Sequence, residues 1–135
     1  MGGQLMLNQS IITGRLTKDA ELKTVKERAV VSFTLASSRD YKDEEDHYPA
    51  DFIDCVLWGT AADNFATLTA KGDTIQVTGR LQTRTYKDKN EVTHKVTELQ
   101  VDKWYLVSVS QTQGEYPVKE KTIVKDSDSL DNLSL

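Results

Sequence analysis

DFIDCVLWGTAADNFATLTAKGDTIQVTGRLQTRTY, residues 51–86, holds a strand, a helix and a longer strand in succession. Residues 51–59 alternate, with Ile53, Cys55 and Leu57 on one side and Phe52, Val56 and Trp58 on the other. That period of two belongs to a strand with one face turned to a core. Thr60 then serves as N-cap with Asp63 three residues on, Ala61, Phe65 and Leu68 share a face, and Gly72 closes the helix. Alternation resumes from Asp73 to Tyr86, setting Ile75, Val77 and Leu81 against Gln76, Arg80, Arg84 and Tyr86.

Two strands precede this block. Leu7 to Arg15 is apolar-rich, and Ala29 to Ser38 is β-branched and alternates at Val31, Phe33 and Leu35. The charged stretch Thr17 to Arg28 between them reads as turn, and Arg39 to Ala50, with its acids and Pro49, as a long hairpin loop. Beyond the block, Lys87 to Asn90 supplies a turn and Glu91 to Val107 a fifth strand, weak enough in alternation to hold a bulge. Strand, strand, strand, helix, strand, strand is the order of an all-β, five-stranded OB-fold barrel with one helix between strands 3 and 4. A small β-sandwich is the rival. The 135 residues leave room for one domain, 1–107, and a flexible acidic C-terminal tail, 108–135.

Composition removes whole classes of function. The longest apolar runs are three to four residues, such as Cys55 to Trp58, so no membrane helix is expected. A lone cysteine and a start without basic and apolar signal regions point to a reducing, cytoplasmic setting. Cys55, His47 and His94 are isolated, without the paired spacing of metal ligands, and Cys55 sits on the apolar side of its strand as a small hydrophobe. No Walker loop, dinucleotide fingerprint or nucleophile elbow is present. Neither an enzyme, a metal nor a cofactor is therefore expected.

What remains is a pattern of aromatic and basic residues opposite the aliphatic faces. Phe52 and Trp58 share one face, Arg80, Arg84 and Tyr86 share another, and Tyr41 lies in the loop before the third strand. Bases stack on aromatic faces and a phosphate backbone needs cations along its track, which makes single-stranded nucleic acid the natural ligand. The plainer reading is a second core layer or an oligomer interface. Net charge is −4, but residues 1–110 carry 14 basic and 16 acidic groups, four of the acids crowded into 43–46. Without that cluster a weakly positive groove is compatible with the acidic total.

The chain resembles the bacterial and phage single-stranded DNA-binding proteins over about residues 6–107. The resemblance is carried by Thr13-Gly14-Arg15-Leu16-Thr17-Lys18-Asp19, Phe33-Thr34-Leu35-Ala36, Asp51 to Gly59, Lys71-Gly72-Asp73 and Gly79 to Tyr86. It implies base stacking on Tyr41, Phe52, Trp58 and Tyr86, and phosphate contacts from Arg80, Arg84, Lys71 and Lys87. It also implies a homo-oligomer, most often a tetramer, coating exposed strands in replication, recombination or transfer. Departures are Ala20 in place of a common proline, and Asp54 and Thr60 where some relatives carry basic residues. Relatives usually recruit replication and repair proteins through an acidic tip ending in Pro-Phe. Here Asp126 to Leu135 keeps acids and leucines without that tip, which would suit a phage or plasmid version. An OB-fold accessory module of primosomal type, dominated by protein contacts, is the competing function. A binder of tRNA or oligosaccharide has only the fold in its favour.

Overall fold

The computed structural model describes residues 4–110; the tail expected over 108–135 lies, from residue 111 on, outside the described residues. In chain order the elements are β1 (Ser10–Leu16), β2 (Glu21–Val25), β3 (Arg28–Ser38), β4 (Ala50–Trp58), α1 (Thr60–Leu68), β5 (Thr74–Lys87) and β6 (Thr93–Ser108). One sheet runs β1-β5-β6-β4-β3-β2, and β1 pairs again with β3 at Arg15↔Ala36 and Leu16↔Leu35. A second narrow seam joins β4 to β6 in parallel through Cys55↔Leu99 and Val56↔Gln100. This is the all-β OB architecture, with its helix between the strands expected third and fourth, closed by two short seams.

A sixth strand, β2, replaces part of the stretch read as turn. All five of its residues are exposed, so no alternation announces it. Its hairpin to β3 turns on Lys26 and Glu27, at φ 52° and 69°. A two-residue turn with both φ positive normally advertises itself by Asn or Gly, and neither is present.

The helix begins one residue earlier than its expected cap. Gly59, at φ 81°, is the N-cap, no side chain caps the first turn, and Thr60 is already helical. Thr69 ends the helix, and its backbone N–H donates to the Phe65 carbonyl. Gly72, expected as C-cap, instead takes φ 90° in the following turn and donates its N–H to the Leu16 carbonyl at 2.8 Å. The helix buries Ala62, Phe65 and Leu68. Phe65 stacks on Phe33 with centroids 4.2 Å apart and meets Trp104 edge-on at 4.9 Å. Around these rings pack Leu16, Val31, Leu35, Cys55, Leu57, Ile75, Val77 and Leu99. Burial pushes the Cys55 thiol up to about 12, helped by the neighbouring Asp54 carboxylate. Asp73 is also fully buried, but its carboxylate accepts the N–H groups of Ala70 and Ser110, tying the helix exit to the end of β6.

The β5–β6 hairpin outgrows the core. Ile75 and Val77 are buried, yet every β5 residue from Arg80 onward is exposed, including Leu81, expected in the core. Its turn spans 88–92 rather than Lys87 to Asn90. Asp88 accepts the N–H groups of Asn90 and Val92, and Glu91 takes φ 68°. The expected bulge is present as register shifts between Thr74 and Ile75 and between Thr78 and Gly79. At the second shift, a Cβ on Gly79 would fall on the Gln100 carbonyl oxygen. Gly79→Ala should therefore cost about 1–3 kcal/mol, the range for overpacking, read as a lower urea midpoint with unchanged m-value.

Candidate nucleic-acid interface

The outer face of β4 carries Phe52, Asp54, Val56 and Trp58, opposite the buried Cys55 and Leu57. Cross-strand partners share a face, so register extends this surface in both directions. Toward β3, Phe52, Asp54, Val56 and Trp58 sit beside Ala36, Thr34, Ser32 and Val30. Toward β6, Val56 sits beside Gln100, which pairs with Arg80 on β5; one hairpin face then continues through Gln82↔Glu98, Arg84↔Val96 and Tyr86↔His94. Phe52, Trp58, Arg80, Arg84 and Tyr86 therefore belong to one continuous outer surface.

Tyr41, Trp58 and Tyr86 each have a neighbour that orients the ring. Tyr41, 52% exposed in the β3–β4 loop, accepts a 2.7 Å hydrogen bond from Arg39 Nη1. The same guanidinium grips Asp51 through Nη2 at 2.7 Å and Nε at 3.1 Å; Asp51 precedes Phe52 on β4, so strand alternation turns it to the other face, and the register does not bring Tyr41 onto the surface of Phe52. Arg39 holds the Asp51 carboxyl below the usual carboxylate range, while Asp51 and then Tyr41 raise the arginine further above its own. Trp58 is half-buried, with the Arg28 guanidinium carbon 4.9 Å from its ring centre. Tyr86 stacks on His94 at 5.1 Å and 22°, and the Arg84 guanidinium carbon lies 5.9 Å from the same ring. His94 Nε2 donates to Asp88 Oδ2 at 2.7 Å, anchoring the stack to the hairpin turn.

Not every residue chosen from sequence shares this surface on equal terms. Arg84 Nε is 3.2 Å from Oε2 of the buried Glu98, so its charge is already met. Arg80 is exposed and Lys87 ends β5 beside Tyr86. Lys71 lies before the start of β5, its N–H on Asp19 Oδ1 at 2.8 Å. It stands at the opposite end of that strand from Arg84, Tyr86 and Lys87. Trp104, by contrast, is buried against Phe65. Sequence reasoning missed Arg28, Arg39, Asp88, His94 and Glu98. The hairpin register would have exposed His94 and Glu98 as neighbours of Tyr86 and Gln82, had the turn been placed at 88–92.

The model of the single-strand binding protein family matches residues 7–107. The chain belongs to that family. It is 43% identical over 111 residues to a single-stranded DNA-binding protein of Lactiplantibacillus plantarum, an alignment covering 82% of this chain and 55% of that protein. It is 39% identical over 115 residues to single-stranded DNA-binding protein 1 of Lactococcus lactis, covering 84% and 77%. A single-stranded DNA-binding protein of Streptococcus pyogenes serotype M3 is 41% identical over 109 residues, covering 80% and 67%. The chain thus spans about half the length of the Lactiplantibacillus relative. The family match ends at residue 107, within one residue of the end of β6. Among the described residues no helix is long and apolar enough to cross a membrane.

The anchored hairpin turn carries a pH signature. His94, followed by the Val92 N–H, holds the Asp88 carboxyl below the usual carboxylate range. A carboxyl lowered on folding contributes stability above its unfolded value of about 4. That contribution is lost as pH falls through the lower folded value. Amide exchange at Asn90 and Val92, referenced to unfolded-chain rates at each pH, should lose protection in that acid window. Asp88→Asn should show reduced protection already at neutral pH.

Proposed function

We propose that this family member binds single-stranded DNA without regard to sequence and coats exposed strands in replication, recombination or transfer. It acts as a binding protein rather than a catalyst, in the cytoplasm. Bases stack on Tyr41, Phe52, Trp58 and Tyr86, while Arg80, Arg84, Lys71 and Lys87 meet phosphates. The observation that carries the reading is Phe52, a phenyl ring 65% exposed in mid-sheet, in line with other accessible rings and cations. Leaving such a ring in water forgoes about 1.5–3 kcal/mol of burial, a cost that a stacked base offsets. Stacking and phosphate contacts read no base edges, hence the indifference to sequence. The names of the relatives support the same ligand. The accessory-module reading gives no reason for rings and arginines to share one track.

A second part of the reading is self-association, with a homotetramer favoured. Leu5, Met6, Leu7 and Ile11 are 101%, 83%, 91% and 62% exposed. β1 pairs with β5 from Ser10 to Arg15 but with β3 only at Arg15 and Leu16, which leaves the other edge of its first half open. An open edge beside apolar side chains is the kind of surface a second copy covers. Recruitment of replication or recombination proteins through the acidic tail belongs to the same reading and rests on the family resemblance.

Single-stranded oligonucleotides should quench tryptophan fluorescence while duplexes leave it almost unchanged. Affinity should fall with salt, log K declining by roughly 0.7 of a unit of slope per neutralised phosphate. Trp58→Phe should remove most of the quenching and keep binding, Trp58→Ala should cost roughly 1–3 kcal/mol, and Trp104→Phe should leave the quenching in place. Equal affinity for duplex, or quenching that follows Trp104, would refute the binding face. Sedimentation at micromolar concentration should show an oligomer that Ile11→Lys weakens; a monomer would refute the assembly.

A further inference from the structure

Five arginines lie among the described residues, and three already have partners: Arg39 on Asp51, Arg84 on Glu98, and Arg28 against the Trp58 ring. The guanidinium groups of Arg15 and Arg80 have none among the described residues, although both side chains are exposed. Arg80 is already assigned to phosphate. Arg15 is not, and the sheet register shows where it stands. It pairs with Ala36, and Ala36 pairs with Phe52, so the three side chains form one row on the outer face. Neighbouring strands are about 4.8 Å apart, which puts Arg15 about 10 Å across the sheet from Phe52. Only the Ala36 methyl stands between them.

The surface beside Arg15 is hollow. Because β1 and β3 pair at only two positions, the strands part above that seam and leave a groove of about 500 Å³. Thr13, Ser37, Ser38 and Thr74 line it with hydroxyls, next to Arg15 and Ala36. Hydroxyls can donate to phosphate oxygens, and the guanidinium fork matches two of them at once. Among the described residues no carboxylate lines the groove.

We infer that the groove beside Arg15 is a phosphodiester subsite that receives the DNA backbone one step beyond the base stacked on Phe52. The inference rests on the single-stranded DNA reading above and extends its track past β4 onto β3 and β1. Arg15 and Arg80 then meet the backbone on opposite sides of the β4 aromatics.

The test uses the 135-residue chain, its Arg15→Ala and Arg15→Lys variants, and an oligothymidylate titrated over a range of salt concentrations. Arg15→Ala should flatten the dependence of log K on log salt by about 0.7 of a unit, one phosphate on a single strand. It should weaken binding at low salt by about tenfold, as for loss of one hydrogen bond to a charged group. Arg15→Lys keeps the charge and should keep the slope. Tryptophan quenching at saturation should be the same in all three proteins, since Trp58 lies at the far end of β4. If the unaltered chain binds with a normal slope and Arg15→Ala matches it, or if Arg15→Lys loses as much slope as Arg15→Ala, the subsite is overturned alone. If the unaltered chain fails to bind the oligonucleotide, the function falls and the subsite with it.

Discussion

The barrel closes where the backbones of β1 and β3 come too near for a side chain. A Cβ on Gly14 would lie 2.8 Å from the Ala36 carbonyl oxygen, inside any real carbon–oxygen contact. Glycine at this position lets Arg15 and Leu16 pair with Ala36 and Leu35 and brings the two arms of the sheet together. Leu16 and Leu35 are buried at that seam, so closure and core formation are one event. Everything functional follows from it. Once the inner face is filled by Phe33, Phe65 and Trp104, strand alternation obliges Phe52, Val56 and Trp58 to point outward.

Alternation explains why so much was legible. β4 announces both faces within nine residues, and the same rule separates Ile75 and Val77 from Gln76 and Arg80 on β5. Legibility fails where the physics leaves no pattern. β2 is exposed on both faces and turns through Lys26 and Glu27, neither a residue that favours positive φ. The outer half of β5 looks amphipathic in sequence, but no second layer covers it, so Leu81 remains 43% exposed. The helix start misleads for a related reason. Thr60 has the chemistry of a cap, yet Gly59 alone accepts the φ of 81° that the strand-to-helix turn demands.

The partners of the aromatic residues were illegible because they depend on register, which a turn shifted by one or two residues scrambles. Glu98 is the clearest case. As a residue in a charged strand it invites no comment. In the fold it is buried beside Arg84, with Gln100 Nε2 3.5 Å from the same oxygen. A buried carboxylate on the face proposed to meet phosphates is tolerable only because it is paired. Its pairing partner is thereby fixed next to Tyr86.

That arrangement bears on how affinity is divided between stacking and charge. Tyr41 is tethered by Arg39, Trp58 is covered on one side by Arg28, and Tyr86 rests on His94 with Arg84 nearby. Phe52 has no polar atom to tether and depends on the β4 backbone alone. Rings held in place before a ligand arrives lose little side-chain entropy on binding, which leaves more of each stack as net affinity. The arginines that do the holding are not spare cations. Arg39 and Arg84 are matched by Asp51 and Glu98, so neither brings an uncompensated charge to the strand. If a strand lies on this face as proposed, its salt dependence is set mainly by exposed cations with no acidic partner among the described residues, such as Arg15 and Arg80, while Arg84 adds a hydrogen bond to phosphate rather than an unmatched charge. On the proposed reading, an acidic chain holds a strand by placing oriented rings between a few arginines that have no acidic partner among the described residues.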